Sequence, residues 1–125
     1  MRLSMLLVTL ALVACGGGSG GGSQVADINL TSQGAVTASG NSPINITIPS
    51  GGQVHFFNKD TAPHKITSPE CTELNSPQLA PNQDFLTSIG GGPRACTFKD
   101  SLNPSAPGFN GNITVGDTGT PGGGY

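Results

Sequence analysis

Between residues 25 and 115 the apolar side chains recur at every second position. Ala26, Ile28 and Leu30 alternate with Asp27, Asn29 and Thr31, and Ile44, Ile46 and Ile48 alternate with Asn45 and Thr47. Val54 and Phe56 continue the pattern, with His55 and Phe57 on the opposite face. A strand turns successive side chains to opposite faces, so this is the signature of strands buried on one side. Shorter candidates follow at His64–Ser68, Asp84–Ile89, Arg94–Phe98 and Gly111–Val115, and no segment carries a helical period. Ser42-Pro43, Pro49-Ser50-Gly51-Gly52, Ala80-Pro81-Asn82 and Gly90-Gly91-Gly92-Pro93 punctuate them as turns. About seven short strands in roughly 90 residues predict an all-β fold, a Greek-key β-sandwich.

The flanks differ from this core. The chain holds 20 Gly and 10 Pro in 125 residues, but much of the Gly lies in GGGSGGGS at 16–23 and in the Gly/Pro/Thr tail at 116–125. Neither stretch has apolar side chains enough to bury, so the first reads as a tether spanning roughly 15 Å and the second as a disordered tail. A net charge of −2 with five Lys and Arg excludes a nucleic-acid binder built on a basic patch. Arg2 precedes an apolar run, Leu3 to Val13, that is too short to span a bilayer and has the length of a signal-peptide core. It ends in Leu12-Val13-Ala14-Cys15, which resembles the bacterial lipobox. That resemblance implies a signal peptide at 1–14, lipidation of Cys15 before a tether at 15–24, and membrane attachment through the acyl chains. Gly16 in place of Asp implies outer-membrane sorting, with the domain at 25–115 facing the periplasm or the cell surface.

With Cys15 assigned to lipid, Cys71 and Cys96 remain, and an even pair in an exported protein reads as a disulfide. Asn-x-Thr triplets at Asn29, Asn45 and Asn112 read as polar strand residues. Gly90-Gly91-Gly92-Pro93 lacks the Lys-Ser/Thr of a phosphate-binding loop. No Ser/His/Asp constellation or paired-carboxylate motif points to an enzyme.

The run from Ile48 to Ile66 carries a more specific likeness. A Pro/Gly turn, a strand ending in Asn58, a loop and then His64 resemble the first half of a cupredoxin, the family of plastocyanin and related blue-copper proteins. Gly111-Asn112-Ile113-Thr114-Val115 resembles that family's closing strand. The resemblance implies a cupredoxin-like sandwich, with His64 at the position of the first copper ligand. A blue-copper site needs two imidazoles and a thiolate, with a weak axial ligand such as Met. No His follows His64 and no Met follows Met5. His55 lies mid-strand and reads as a partly exposed strand residue.

Phe98-Lys99-Asp100-Ser101-Leu102-Asn103-Pro104 is also similar to a bacterial cupredoxin-like subgroup that has His at the positions of Lys99 and Ser101. In that register Cys71 and Cys96 match a disulfide pair. Cys96 therefore has two readings, copper thiolate or disulfide partner, and the loop offers the thiolate no companions. A Lys99 ammonium near the lost metal position would repel cations, so Lys99→His with Ser101→His is expected to raise copper affinity. The function expected is a membrane-anchored binding or structural lipoprotein, metal-free or weakly metal-binding through His64, with an unknown protein or redox partner. The alternative is a copper-binding electron carrier.

Overall fold

The alternation is realised as two facing sheets. In a computed structural model, which describes residues 25–117, the strands are β1 (Val25–Thr31), β2 (Gly34–Thr37), β3 (Ile44–Ile48), β4 (Gly52–Asn58), β5 (Ile66–Thr67), β6 (Asp84–Ile89), β7 (Arg94–Asp100) and β8 (Gly111–Val115). The expected signal peptide, the expected lipidation site Cys15, the expected tether and residues 118–125 lie outside the described residues. One sheet has the order β2-β1-β4-β6 and the other β3-β8-β7-β5. The all-β sandwich expected from the sequence is what forms.

Three boundaries differ from the sequence reading. β2 makes an eighth strand, paired antiparallel to β1 from Thr31↔Gly34 to Ile28↔Thr37. It lacks the large alternating apolar residues that mark a strand, because it starts on Gly34 and buries only Ala35 beside it. The expected strand at His64–Ser68 shrinks to Ile66–Thr67, with His64 held separately in a bridge to Leu79. β7 extends through Lys99 and Asp100, where the sequence had suggested a loop.

Parallel pairing of β1 with β4 (Val25↔Gln53 to Leu30↔Asn58) and of β3 with β8 (Ile44↔Gly111 to Ile48↔Val115) sets the two long contacts of the sandwich. Ile28, Leu30, Val54 and Phe56 from one sheet meet Ile48, Phe98, Ile113 and Val115 from the other, all buried. The Phe56 and Phe98 rings pack edge to face across the gap, with centroids 5.2 Å apart. Cys71 and Cys96 form a disulfide, fully buried, with Cα atoms 5.5 Å apart. It fastens the short 3-10 turn Thr72–Leu74 to β7, and Arg94 adds an ion pair to Glu73 at 3.1 Å. Glu70 accepts from the Thr97 hydroxyl on the same strand.

Asn29, Asn45 and Asn112 lie on strands as expected, with Asn45 and Asn112 opposite one another.

Candidate functional site

The site region is the end of the sandwich where β4 and β7 finish. Asn58, the last residue of β4, is buried, and its side-chain amide donates to the carbonyls of Ala62 (2.8 Å) and Leu79 (2.9 Å). Its Oδ1 accepts from the Asp60 backbone N–H at 2.9 Å. One side chain thus folds the 59–63 loop back on itself and delivers His64 to Leu79, where both backbone hydrogen bonds form. The His64 ring is thereby turned inward and is 1% exposed.

What meets the ring there is a pair of carboxylates. His64 Nδ1 bonds Asp100 Oδ2, and His64 Nε2 lies 2.9 Å from Asp60 Oδ2. Asp100 is completely buried at the end of β7. Its Oδ1 accepts from the backbone N–H groups of Lys65 and Leu102, each at 3.0 Å, and its Oδ2 from the Asn103 amide at 2.7 Å. The Phe109 ring covers the imidazole at a centroid distance of 4.6 Å.

Burial alone would raise the Asp100 pKa, but the hydrogen bonds from His64, Lys65, Asn103 and Leu102 outweigh it and leave the carboxyl below its ordinary value. The Asp60 carboxyl is also lowered, chiefly by its hydrogen bond to His64. No buried side-chain polar atom among the described residues lacks a partner.

The sequence-derived site residues are placed as follows. His64 is buried with both ring nitrogens engaged. Cys96 is bonded to Cys71, so it has no thiolate to offer. Lys99 is exposed on β7 between the buried Phe98 and Asp100, so strand alternation sends it to the opposite face from Asp100 and His64. It lines an outer hollow with Pro43, Thr97 and Asn112 instead. The expectation of a Lys99 ammonium beside His64 is corrected by this alternation. Ser101 is exposed, its hydroxyl donating to the Lys65 carbonyl at 3.2 Å.

Tested against the needs of a copper centre, these residues do not fit. The single inward imidazole has both nitrogens spent on carboxylates, the sulfur is in a disulfide, and Lys99 and Ser101 face outward. Among the described residues no group of three or more His, Cys, Asp or Glu side chains is arranged to hold a metal ion.

Sequence reasoning passed over Asp60 and Asp100 because a carboxylate within a turn or a strand end carries no motif of its own. A signal was nonetheless present. Asp100 is a charge at an inward-facing position of β7, two residues from Phe98, and buried charges require partners.

A second imidazole has a similar setting on the outer face of the first sheet. His55 lies mid-strand on β4, part exposed as expected, between Asp27 on β1 (Nδ1, 3.1 Å) and Asp84 on β6 (Nε2, 2.7 Å). The hydrogen bond with Asp84 raises its pKa above the ordinary histidine value, partial burial opposes this, and Asp27 adds to it. The three side chains bridge three neighbouring strands.

No family model and no curated protein sequence matches the chain. Solved structures do. A purple cupredoxin from Nitrosopumilus maritimus aligns at 29% identity and a TM-score of 0.55, over 72% of this chain and 98% of its own. The fold is cupredoxin-like. A mutant plastocyanin of a fern aligns at 21% identity and a TM-score of 0.54, over 71% of this chain and 98% of that one. A multicopper oxidase aligns at 18% identity and a TM-score of 0.54, over 73% of this chain but only 41% of its own length. The cupredoxin-like sandwich thus ends, at the His64 pole, in a carboxylate–imidazole–carboxylate cluster.

Proposed function

We propose that this chain is a membrane-anchored, cupredoxin-like lipoprotein of the bacterial envelope, non-catalytic, serving as a binding or structural module without a resident metal or with only a weak one. The observation that carries this reading is the engagement of His64 by Asp60 and Asp100, because each ring nitrogen already faces a carboxylate oxygen inside a buried site that offers no second imidazole or thiolate. The degenerate ligand loop, with Lys99 and Ser101 where the resembling subgroup has His, supports it. The lipobox at Leu12–Cys15 and the Gly/Ser tether support attachment of the domain to a membrane, and a disulfide suits an exported compartment.

The alternative is a copper-binding electron carrier, favoured by the 29% identity to the purple cupredoxin. Metal analysis of the full chain in detergent, with a visible spectrum after adding copper(II), separates the two. Sub-stoichiometric metal and no thiolate-to-copper band supports the metal-free module. An intense visible band at one equivalent of copper establishes the alternative. Partition of wild-type and Cys15→Ser protein between membrane and soluble fractions tests the anchor, since the variant is expected to leave the membrane.

A further inference from the structure

The outer hollow that Lys99 lines follows from where three strands begin and end. β3 starts at Ile44 and β8 at Gly111, level with each other and with Phe98 on β7, whereas β7 runs on through Lys99 to Asp100. Beside that overhang lies a hollow of about 570 Å³, a size suited to a small molecule. Buried Ile44 and Phe98 form its floor, and exposed Pro43, Pro69 and Pro107 stand around it. A pyrrolidine ring has no freely rotating side chain to repack. Such walls favour a flat, rigid visitor, which also loses little freedom on binding.

The charge of the hollow is one-sided. Lys99 is the only ionisable side chain on its lining, and among the described residues it forms no ion pair. Glu70, which follows Pro69, is committed elsewhere: it accepts from the Thr97 backbone N–H at 3.2 Å and from the Thr97 hydroxyl at 2.7 and 2.8 Å. The Asn112 amide, also on the lining, makes only long hydrogen bonds, 3.4 Å each, to Asn45 and Thr114. Its N–H groups are therefore open to a stronger acceptor. A cation and an amide donor with no acid on the same lining call for an anion.

We infer that this hollow is a binding site for a small aromatic carboxylate, its ring seated among Pro43, Pro69 and Pro107 and its carboxylate against Lys99 and Asn112. The inference goes beyond the metal-free reading and does not rest on it, since Lys99 and His64 lie on opposite faces of the strand. It gives the module a ligand class that the His64 pole does not supply.

The experiment is a titration of the nitrogen-15-labelled full chain in non-ionic detergent with naphthalene-2-carboxylate, followed by amide chemical shifts. The expected result is saturable shifts at Lys99, Gly111 and Asn112. Naphthalene-2-carboxamide, the same ring without the charge, should bind about three- to fivefold more weakly, the size of one exposed ion pair. Lys99→Gln should weaken the carboxylate by the same factor and leave the carboxamide unchanged. Lys59→Gln, which removes an equal charge beside Phe57 on the other sheet, should change neither. Shifts that fail to saturate or scatter over the surface overturn the inference. Equal affinity for the two probes, or for wild type and Lys99→Gln, overturns it as well. Shifts of the same amides on dilution without any probe would place a second copy of the chain in the hollow, and also overturn it.

Discussion

Reducing the Cys71–Cys96 bond is expected to cost the domain a large part of its stability without changing its fold. The two cysteines are 25 residues apart in sequence, and the bond constrains the unfolded chain far more than the folded one. Cross-linking a loop of about 25 residues removes roughly 12 cal/mol/K from the unfolded ensemble, or about 3.5 kcal/mol at 25 °C. Two other ties join the same segments, Arg94 to Glu73 and Thr97 to Glu70. Both are partly or fully exposed and act only in the folded state, where such contacts are worth at most about 1 kcal/mol, so they do not replace the bond. Urea unfolding of the oxidised and reduced protein, followed by far-ultraviolet circular dichroism, measures the difference. With a slope of about 1.5 kcal/mol/M, the reduced midpoint is expected to fall by about 2.3 M. Midpoints within about 0.5 M of each other would refute the loop-entropy reasoning, because no plausible slope for a domain of this size hides the loss. The Cys71→Ala/Cys96→Ala variant gives a second value. A loss much larger than that of the reduced protein would mean that the buried sulfurs act mainly through packing.

Three further outcomes are expected. Gly111→Ala places a Cβ against the Phe98 ring and 2.7 Å from Ile44 Cβ, a clash inside the core, and should cost about 1–3 kcal/mol by thermal or chemical unfolding. His55 has a folded pKa above its unfolded value, so its contribution is complete below about pH 6.5 and is lost as the pH rises through the folded pKa. Melting temperatures from pH 5.5 to 9 should therefore decline in wild type more than in His55→Gln, and parallel curves would refute this. Lys99→His with Ser101→His places two imidazoles on the exposed side, so any copper(II) they gather should be unaffected by adding His64→Gln, as isothermal titration of both variants would show.

Much of the fold was legible because its strands obey the simplest rule available. Ile44, Ile46 and Ile48, or Val54 and Phe56, bury alternate side chains, and that periodicity survives any detail of packing. β2 was not legible for the opposite reason. Gly34 has a φ of +136° and sits so close to Gly108 that a Cβ would lie 2.5 Å from its carbonyl oxygen. What makes that strand possible is backbone contact, which leaves no apolar mark in the sequence. The candidate site was legible in part. His64 stands out by its place after Asn58 and Pro63, but its partners Asp60 and Asp100 are four and 36 residues away. Only the end of β7 brings Asp100 inward, and a one-residue shift would have exchanged it for Lys99. The Cys71–Cys96 pairing was legible once Cys15 was set aside as the lipid carrier, although Cys96 also had a copper-thiolate reading until the disulfide was seen.

The register of β1 on β4 has a directional consequence. Val25 is level with Gln53, at one end of the sandwich, whereas Leu30 is level with Asn58, beside the loop that carries His64. Val115, where the last strand finishes, pairs with Ile48 and Arg94 at the same end as Val25. Both ends of the described segment therefore share one pole, and the acid–imidazole pole lies a strand length away, roughly 20 Å at the usual rise per residue. Anything holding the domain by its leading segment would present it like a lamp on a post, with the His64 end outermost. A visitor from the surrounding medium would reach Leu102 and the 59–63 loop first, and the attachment last.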